Sequence, residues 1–427
     1  MNSQVKQRLF AFTVCGIAGL FLAYEFILQV SPNVMTQQLM HSFDINAVAL
    51  GTYISFYYYS YAPMQLVAGL SFDRLGARNT LTLAILTCAV GTGVIGYADS
   101  AYWLGVGRFL TGLGSAASFV GLLFLGRSWF ANRYFFLVAG ITEFLGCLGA
   151  VVGGGPTAMM VHAFGWRPTL IGLALVGFVL TILAFFVVRE SSATRNAAPE
   201  IGLSHSPLFE RLKQVLSQPQ MWAISLYAFM VFAPIPAFAA LWGVPYLTAA
   251  YDISPTVAGF ACSMIWVGMG LGSILAGWVS ELLRSRKIPL VAGALLGVVV
   301  TLLILYVHVS LIMLYGLMFL LGVATLGQAL SFNAINDNAE LKIAGTAMGF
   351  NNMLVVLSGA LTQPIIGLIL HAVWNGAMQN GAPLYTAGDY RLALLMLPAF
   401  YLLAAIIGLV CIRETHCRHI CERRSSN

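Results

Sequence analysis

Apolar segments of about twenty residues recur along this chain, with only short polar stretches between them. They fall at 9–31, 48–68, 79–98, 102–124, 135–157, 166–188, 221–249, 255–277, 289–308, 311–332, 343–371 and 390–412. A helix of about 20 apolar residues crosses the hydrocarbon of a bilayer. In that medium only helices and closed barrels satisfy their own backbone. The spacing therefore predicts an all-α membrane protein with twelve transmembrane helices. Composition agrees, since 59% of the 427 residues are hydrophobic and 8% charged, where a soluble domain carries about 25% charged. The stretch from Met1 to Arg8 and the apolar run after it have the outline of a signal peptide. The run lacks an A-x-A cleavage site and is long enough to span, so it reads as the first helix.

The net charge of +6 raises the question of nucleic acid. The basic residues, however, form no groove-sized patch. They lie in short loops, the pattern by which a membrane protein fixes its orientation. With the N-terminus inside, 18 of the 21 Lys and Arg residues fall in inside segments, and the others, Arg108, Arg167 and Arg391, lie in or near outer helix ends. This predicts a multi-pass inner-membrane protein with both termini cytoplasmic and no nucleic-acid partner. None of the seven cysteines falls in a predicted outside loop, so no disulfide framework is expected. The Cys417 and Cys421 tail matches no standard zinc spacing.

The most polar stretch, 190–219, divides the chain. The expected domains are a six-helix bundle over 1–190, a cytoplasmic linker over 191–219 with one amphipathic helix near 208–216, and a second six-helix bundle with a short tail over 220–427.

After helix two comes Gly69-Leu-Ser-Phe-Asp73-Arg74-Leu-Gly76-Ala-Arg78. A degraded copy, Gly277-Trp-Val-Ser-Glu281-Leu-Leu-Arg284-Ser-Arg286-Lys287, follows helix eight. Related loops at matching places in two six-helix halves mark an internal repeat. Helix four carries Arg108-Phe-Leu-Thr-Gly112-Leu-Gly114, helix five is rich in glycine from Gly146 to Gly155, and Phe164-Gly-Trp-Arg167 opens helix six. Together these resemble the motifs of the major facilitator superfamily. That resemblance implies two pseudo-symmetric six-helix bundles that rock about a central substrate cavity. Tyr24-Glu25-Phe26, then Val30-Ser31-Pro32-Asn-Val-Met35 and the tyrosine-rich helix two, are similar to the phagosomal nutrient transporters of intracellular gammaproteobacteria.

Charges inside a span are costly and usually face a cavity or a partner. Three stand in predicted spans: Glu25, Arg108 and Glu143. At about 1.5 Å per residue, Glu25 and Arg108 both lie roughly 24 Å from the inner face, so a pair or a shared water network is expected. Glu143 lies about 13 Å in and leads the stripe Glu143, Gly146, Ala150, Gly153, expected to approach helix eight. Tyr57 and Tyr61 share a face of helix two, and Trp242, Asn351 and Asn352 place polar groups at membrane depth in the second half. These eight residues are the candidates for substrate binding and proton coupling. Asp73, Arg74, Arg78 and Glu281 are the candidates for gating, Asp73 docking on the N-terminus of helix eleven and Glu281 on that of helix five. Pro234 and Pro236 break helix seven mid-span and suggest a hinge.

No G-x-x-x-x-G-K-[ST] phosphate loop is present, so ATP is not expected to drive the chain. The expected function is secondary transport, not enzymic catalysis: proton-coupled symport of a small polar solute, an amino acid first, by a functional monomer without cofactor or metal. The alternative, which the resemblance to the phagosomal transporter group implies, is import or export of a carboxylate siderophore or another organic anion.

Overall fold

The computed structural model describes residues 3–130, 135–189, 208–340, 343–379 and 381–417. Some side chains inside these ranges, that of Asp73 among them, lie outside the description. Segments long and apolar enough to span are helix one (Leu9–Val34), helix three (Arg74–Tyr97), helix four (Ala101–Trp129), helix five (Gly140–Phe164), helix six (Trp166–Val187), helix seven (Pro219–Tyr251), helix eight (Pro255–Leu282), helix nine (Lys287–Tyr306), helix ten (Leu311–Asn338), helix eleven (Ala344–Val373) and helix twelve (Ala387–Val410).

Helix two completes the twelve. It is the first part of a continuous helical run, Ala47–Tyr97, of 51 residues. A straight helix of that length would be about 76 Å long, against roughly 30 Å of hydrocarbon. The run breaks at Gly76, with φ 76° and ψ 164°, a conformation that glycine adopts without a Cβ penalty. The even number of spans puts both termini on one face of the membrane, here the terminal face. The opposite face is the far face.

Several helices outrun their apolar segments. Helix eight continues to Leu282, helix ten to Asn338, and helix five to Phe164 across a break at Gly154. Hydropathy registers only the part in hydrocarbon, whereas backbone hydrogen bonding continues wherever the chain permits. The amphipathic helix between the halves is present as Leu208–Leu216, while the rest of the predicted linker up to residue 207 lies outside the described residues. Between helices eleven and twelve, Met378–Gln379 and Ala382–Pro383 pair as a short antiparallel hairpin.

Helix six shows how the bundle meets lipid. Its buried face sets the small residues Ala174, Gly177 and Ala184 among Trp166, Leu170 and Leu180, and Leu175, Val179, Ile182 and Phe186 face outward. Small residues let helices approach where lipid leaves no hydrophobic force to drive them together.

The two halves press together toward the far face. A Cβ on Gly51 would lie 2.6 Å from the Gln363 carbonyl oxygen, and one on Gly367 would lie 2.3 Å from that of Ala47, so helices two and eleven meet backbone to backbone. Helices five and eight meet at Gly154 and Gly155, against Ser263 and Phe260. The expected stripe on helix five divides differently: Gly146 and Gly153 pack on Phe26 and Ile27 of helix one, and Cys147 faces Gly270 of helix eight. Helix five is wedged between two neighbours and carries small residues toward both, so its glycines alone do not say which face meets which helix.

Candidate functional site

Glu25 of helix one is 1% exposed and Arg108 of helix four 2%. Their expected association is indirect. The Tyr57 hydroxyl donates to Glu25 Oε1, and the Ser118 hydroxyl donates to Oε2 at 3.5 Å. The Arg108 guanidinium lies over the other side of the same tyrosine, 4.7 Å from its ring centroid. Arg108 donates from Nη1 to the Leu28 carbonyl at 2.9 Å and from Nε to the Ile54 carbonyl at 3.4 Å. No direct ion pair joins the two charges. Among the described residues the salt bridge is between Arg286 and Asp337. Tyr57 thus bridges the charges, its hydroxyl on the acid and its ring under the base. Arg108 Nη2 is buried and has no hydrogen-bond partner.

The tyrosines extend this site to the seam between the halves. Tyr61 packs against Tyr57 with ring centroids 5.6 Å apart, as expected for residues sharing a helix face. Tyr58, whose hydroxyl accepts from Gln29 Nε2 at 3.3 Å, lies against Gly359 of helix eleven. Tyr57, Tyr58 and Ala360 form one buried cluster with Tyr61, Val356 and Leu357 packed on it. Across the seam, the Trp266 ring stands edge-on to Phe26 at 5.7 Å. Its Nε1 is buried without a partner.

The other predicted residues stand apart. Glu143 is half-buried on helix five, and among the described residues no hydrogen bond or ion pair links it to the Glu25 group. Trp242 is fully buried and donates to the Gln363 carbonyl at 3.2 Å, while Gln363 donates to the Pro236 carbonyl at 2.8 Å. Asn351 is fully buried too and donates to Ser331 Oγ at 2.9 Å. Both tie helix eleven to neighbours in its own half, whereas Asn352 is half-buried. Sequence reasoning passed over Ser118 and Gln29, polar residues in mostly apolar runs whose role depends on which helix they face.

At the terminal face, the expected docking of Asp73 rests on a side chain outside the described residues. Arg74 is exposed, and Arg78 stacks over Phe185 of helix six at 4.3 Å. Glu281 is exposed, and its loop is held by other acids. Arg286 Nε donates to Asp337 Oδ2 at 2.9 Å, and Thr415 Oγ1 donates to the same oxygen at 3.0 Å. The Glu414 carboxylate accepts from Ser285 Oγ and from the backbone N–H of Arg286, Lys287, Thr415 and His416. Burial alone would raise the Glu414 pKa, but these hydrogen bonds outweigh it and hold it down at about 2.

The profile of the Major Facilitator Superfamily matches twice, over residues 11–242 and 229–419. The chain is 23% identical over 381 residues to the probable galactarate/D-glucarate transporter GudP of Bacillus subtilis (strain 168), covering 80% of this chain and 82% of that one. It is 24% identical over 348 residues to the hexuronate transporter of the same organism, covering 76% and 80%. It is 25% identical over 398 residues to the probable sulfoacetate transporter SauU of Cupriavidus necator, covering 87% and 89%. Its fold resembles the crystal structure of a bacterial homolog of the human lysosomal transporter Spinster in an inward-facing and occupied conformation, with TM-score 0.72, 15% identity and coverage of 93% and 96%. The nucleoside transporter NupG gives TM-score 0.75 at 11% identity, covering 94% and 100%. Twelve spans in two halves, each matched by the same profile, make this chain a member of the Major Facilitator Superfamily.

Proposed function

We propose that the protein is a secondary transporter of a small organic anion, coupled to protons, in the inner membrane with its termini in the cytoplasm. The observation that carries this reading is Arg108: a buried guanidinium with no acid in ion-pair contact and one N–H-bearing nitrogen, Nη2, left unpartnered. A carboxylate is the natural partner for such a group, because charge-assisted hydrogen bonds are the strong ones. The relatives named for galactarate/D-glucarate, hexuronate and sulfoacetate support an anion over a zwitterion. Glu25, held by Tyr57 and Ser118 beside the same ring, is the group proposed to take and release the coupling proton. Amino-acid symport is the second reading, favoured by the presence of an acid and a base in one site.

The test is uptake into proteoliposomes from a panel of labelled glucarate, hexuronate, sulfoacetate, gentisate and representative amino acids, with and without an inward proton gradient. One of the acids is expected to accumulate, an uncoupler to abolish accumulation, and Arg108→Gln to lower uptake at least about tenfold, the scale of one charge-assisted hydrogen bond. Accumulation of an amino acid but of no organic acid would replace the first reading with the second. Accumulation driven by sodium alone would remove proton coupling.

A further inference from the structure

Helix seven changes register where it nears the far face. Residues Ile235–Trp242 form a π-helical segment, flanked and interrupted by Pro234 and Pro236, and the Gly243 N–H bonds back five residues to the Phe238 carbonyl. The same register would pair the Val244 N–H with the Ala239 carbonyl. Instead, an amide from the other half of the molecule stands between them. Asn33, in the turn that ends helix one, accepts from the Val244 N–H through Oδ1 at 2.9 Å. Its Nδ2 donates to the Ala239 carbonyl at 2.7 Å, with Phe238 O at 3.5 Å. Asn33 is 1% exposed. One side-chain amide thus replaces a missing turn of helix seven and joins the two halves.

This junction borders a pocket of about 350 Å³ on the far face. Asn33 and Val244 both line it, with Gln37, Thr248, Asp252 and Tyr385. We propose that Asn33 is the latch of the far-face gate, and that this polar pocket is the vestibule through which the transport path opens. Backbone groups left unpaired in the interior of a membrane protein cost several kcal/mol unless another protein group or water satisfies them. With the latch closed, Asn33 satisfies the broken turn of helix seven. When the halves part, water from the vestibule takes its place at the Val244 N–H and the Ala239 carbonyl. The exchange leaves no bare group in either state, which lets the gate move at the point where the helix is broken.

The full-length protein in lipid nanodiscs carries its own reporter. Cys262 on helix eight lies beside Asn33 and is 1% exposed, while Cys88 is fully buried within the first half. Labelling by a charged maleimide, followed peptide by peptide by mass spectrometry, gives the ratio of Cys262 to Cys88. Asn33→Ala is expected to raise that ratio roughly tenfold, the scale of losing about two net hydrogen bonds. An unchanged ratio with neither cysteine labelled faster would overturn the proposal. Should the variant loosen the whole fold and raise both cysteines together, Asn33→Asp decides. Its protonated carboxyl can still donate to Ala239 and accept from Val244, whereas its carboxylate repels both carbonyls. The Cys262 ratio of Asn33→Asp, taken against the parent at each pH, is expected to rise from acid to neutral pH. A flat ratio would overturn the proposal.

Discussion

The loops after helix two and after helix eight occupy equivalent places in the two halves, yet they are held by different forces. The first carries the full signature, including the Gly76 turn, and its described anchors are modest: Arg78 over the Phe185 ring and Thr80 donating to the Ser71 carbonyl at 3.0 Å. The second has lost much of the signature but is pinned from outside itself. Asp337 at the end of helix ten pairs with Arg286, and Glu414 from the tail covers the first N–H groups of helix nine. The difference teaches that a family motif and a firm anchor are separable. We propose that the first loop is the one that releases during transport and that the second serves as a fixed base.

The comparison breaks most sharply at Asp337. Removing one partner of a buried ion pair typically costs about 3–5 kcal/mol, because the other charge is stranded. Asp337→Ala is therefore expected to lower the melting temperature in detergent far more than Arg78→Ala, whose cation–π contact contributes about 0.5–2 kcal/mol. Arg286→Met combined with Asp337→Leu is expected to recover most of the loss. Equal melting of Asp337→Ala and Arg78→Ala would end the distinction between stapled and releasable loops.

Next in size is the effect on conformation. Asp73 is proposed to dock on the N-terminus of helix eleven near residues 343–345, an interaction contributing about 0.3–2 kcal/mol. Asp73→Asn is expected to shift the population toward the state open on the terminal face by up to about thirtyfold. Glu281→Gln, at an exposed position, is expected to shift it little. Cysteine labelling from the two sides reads both variants, and equal shifts would mean that the loops gate alike.

The smallest effect concerns the tail. Glu414 acts as a cap supplied from 127 residues beyond Lys287, and cap substitutions cost about 0.5–2 kcal/mol. Glu414→Gln keeps the shape and loses the charge, so a loss of roughly 1 kcal/mol is expected. Because folding depresses this pKa from 4.5 to about 2, the contribution is complete above about pH 4.5 and fades as pH falls toward 2. Proteolysis at the helix eight to nine loop should therefore quicken between those pH values in the parent and vary less in Glu414→Gln.

Much of this was legible in the sequence, for reasons that can be named. Apolar length gave the spans because the bilayer has a fixed thickness, whereas Gly76 stood in the sequence only as one position of the loop motif and its positive φ came from the structure. Glu25 and Arg108 could be grouped from depth, since rise per residue is constant along a helix, and Tyr57 with Tyr61 from their spacing on one face. Depth carries no azimuth, however. It could not foresee that Tyr57 would stand between the charges, that Ser118 would complete the acid's contacts, or that Trp242 and Asn351 would turn into their own bundle.

The sequence by itself determined the number of spans, the internal repeat and the superfamily, all of which are written in local patterns of apolarity and short motifs. Tertiary structure alone decided the partners. Asn33 meets Val244 from 211 residues away, and Glu414 meets Arg286 from 128. Such contacts leave no periodic trace, because a single polar side chain satisfying a distant backbone group depends on where two helices end in space and not on the residues around either.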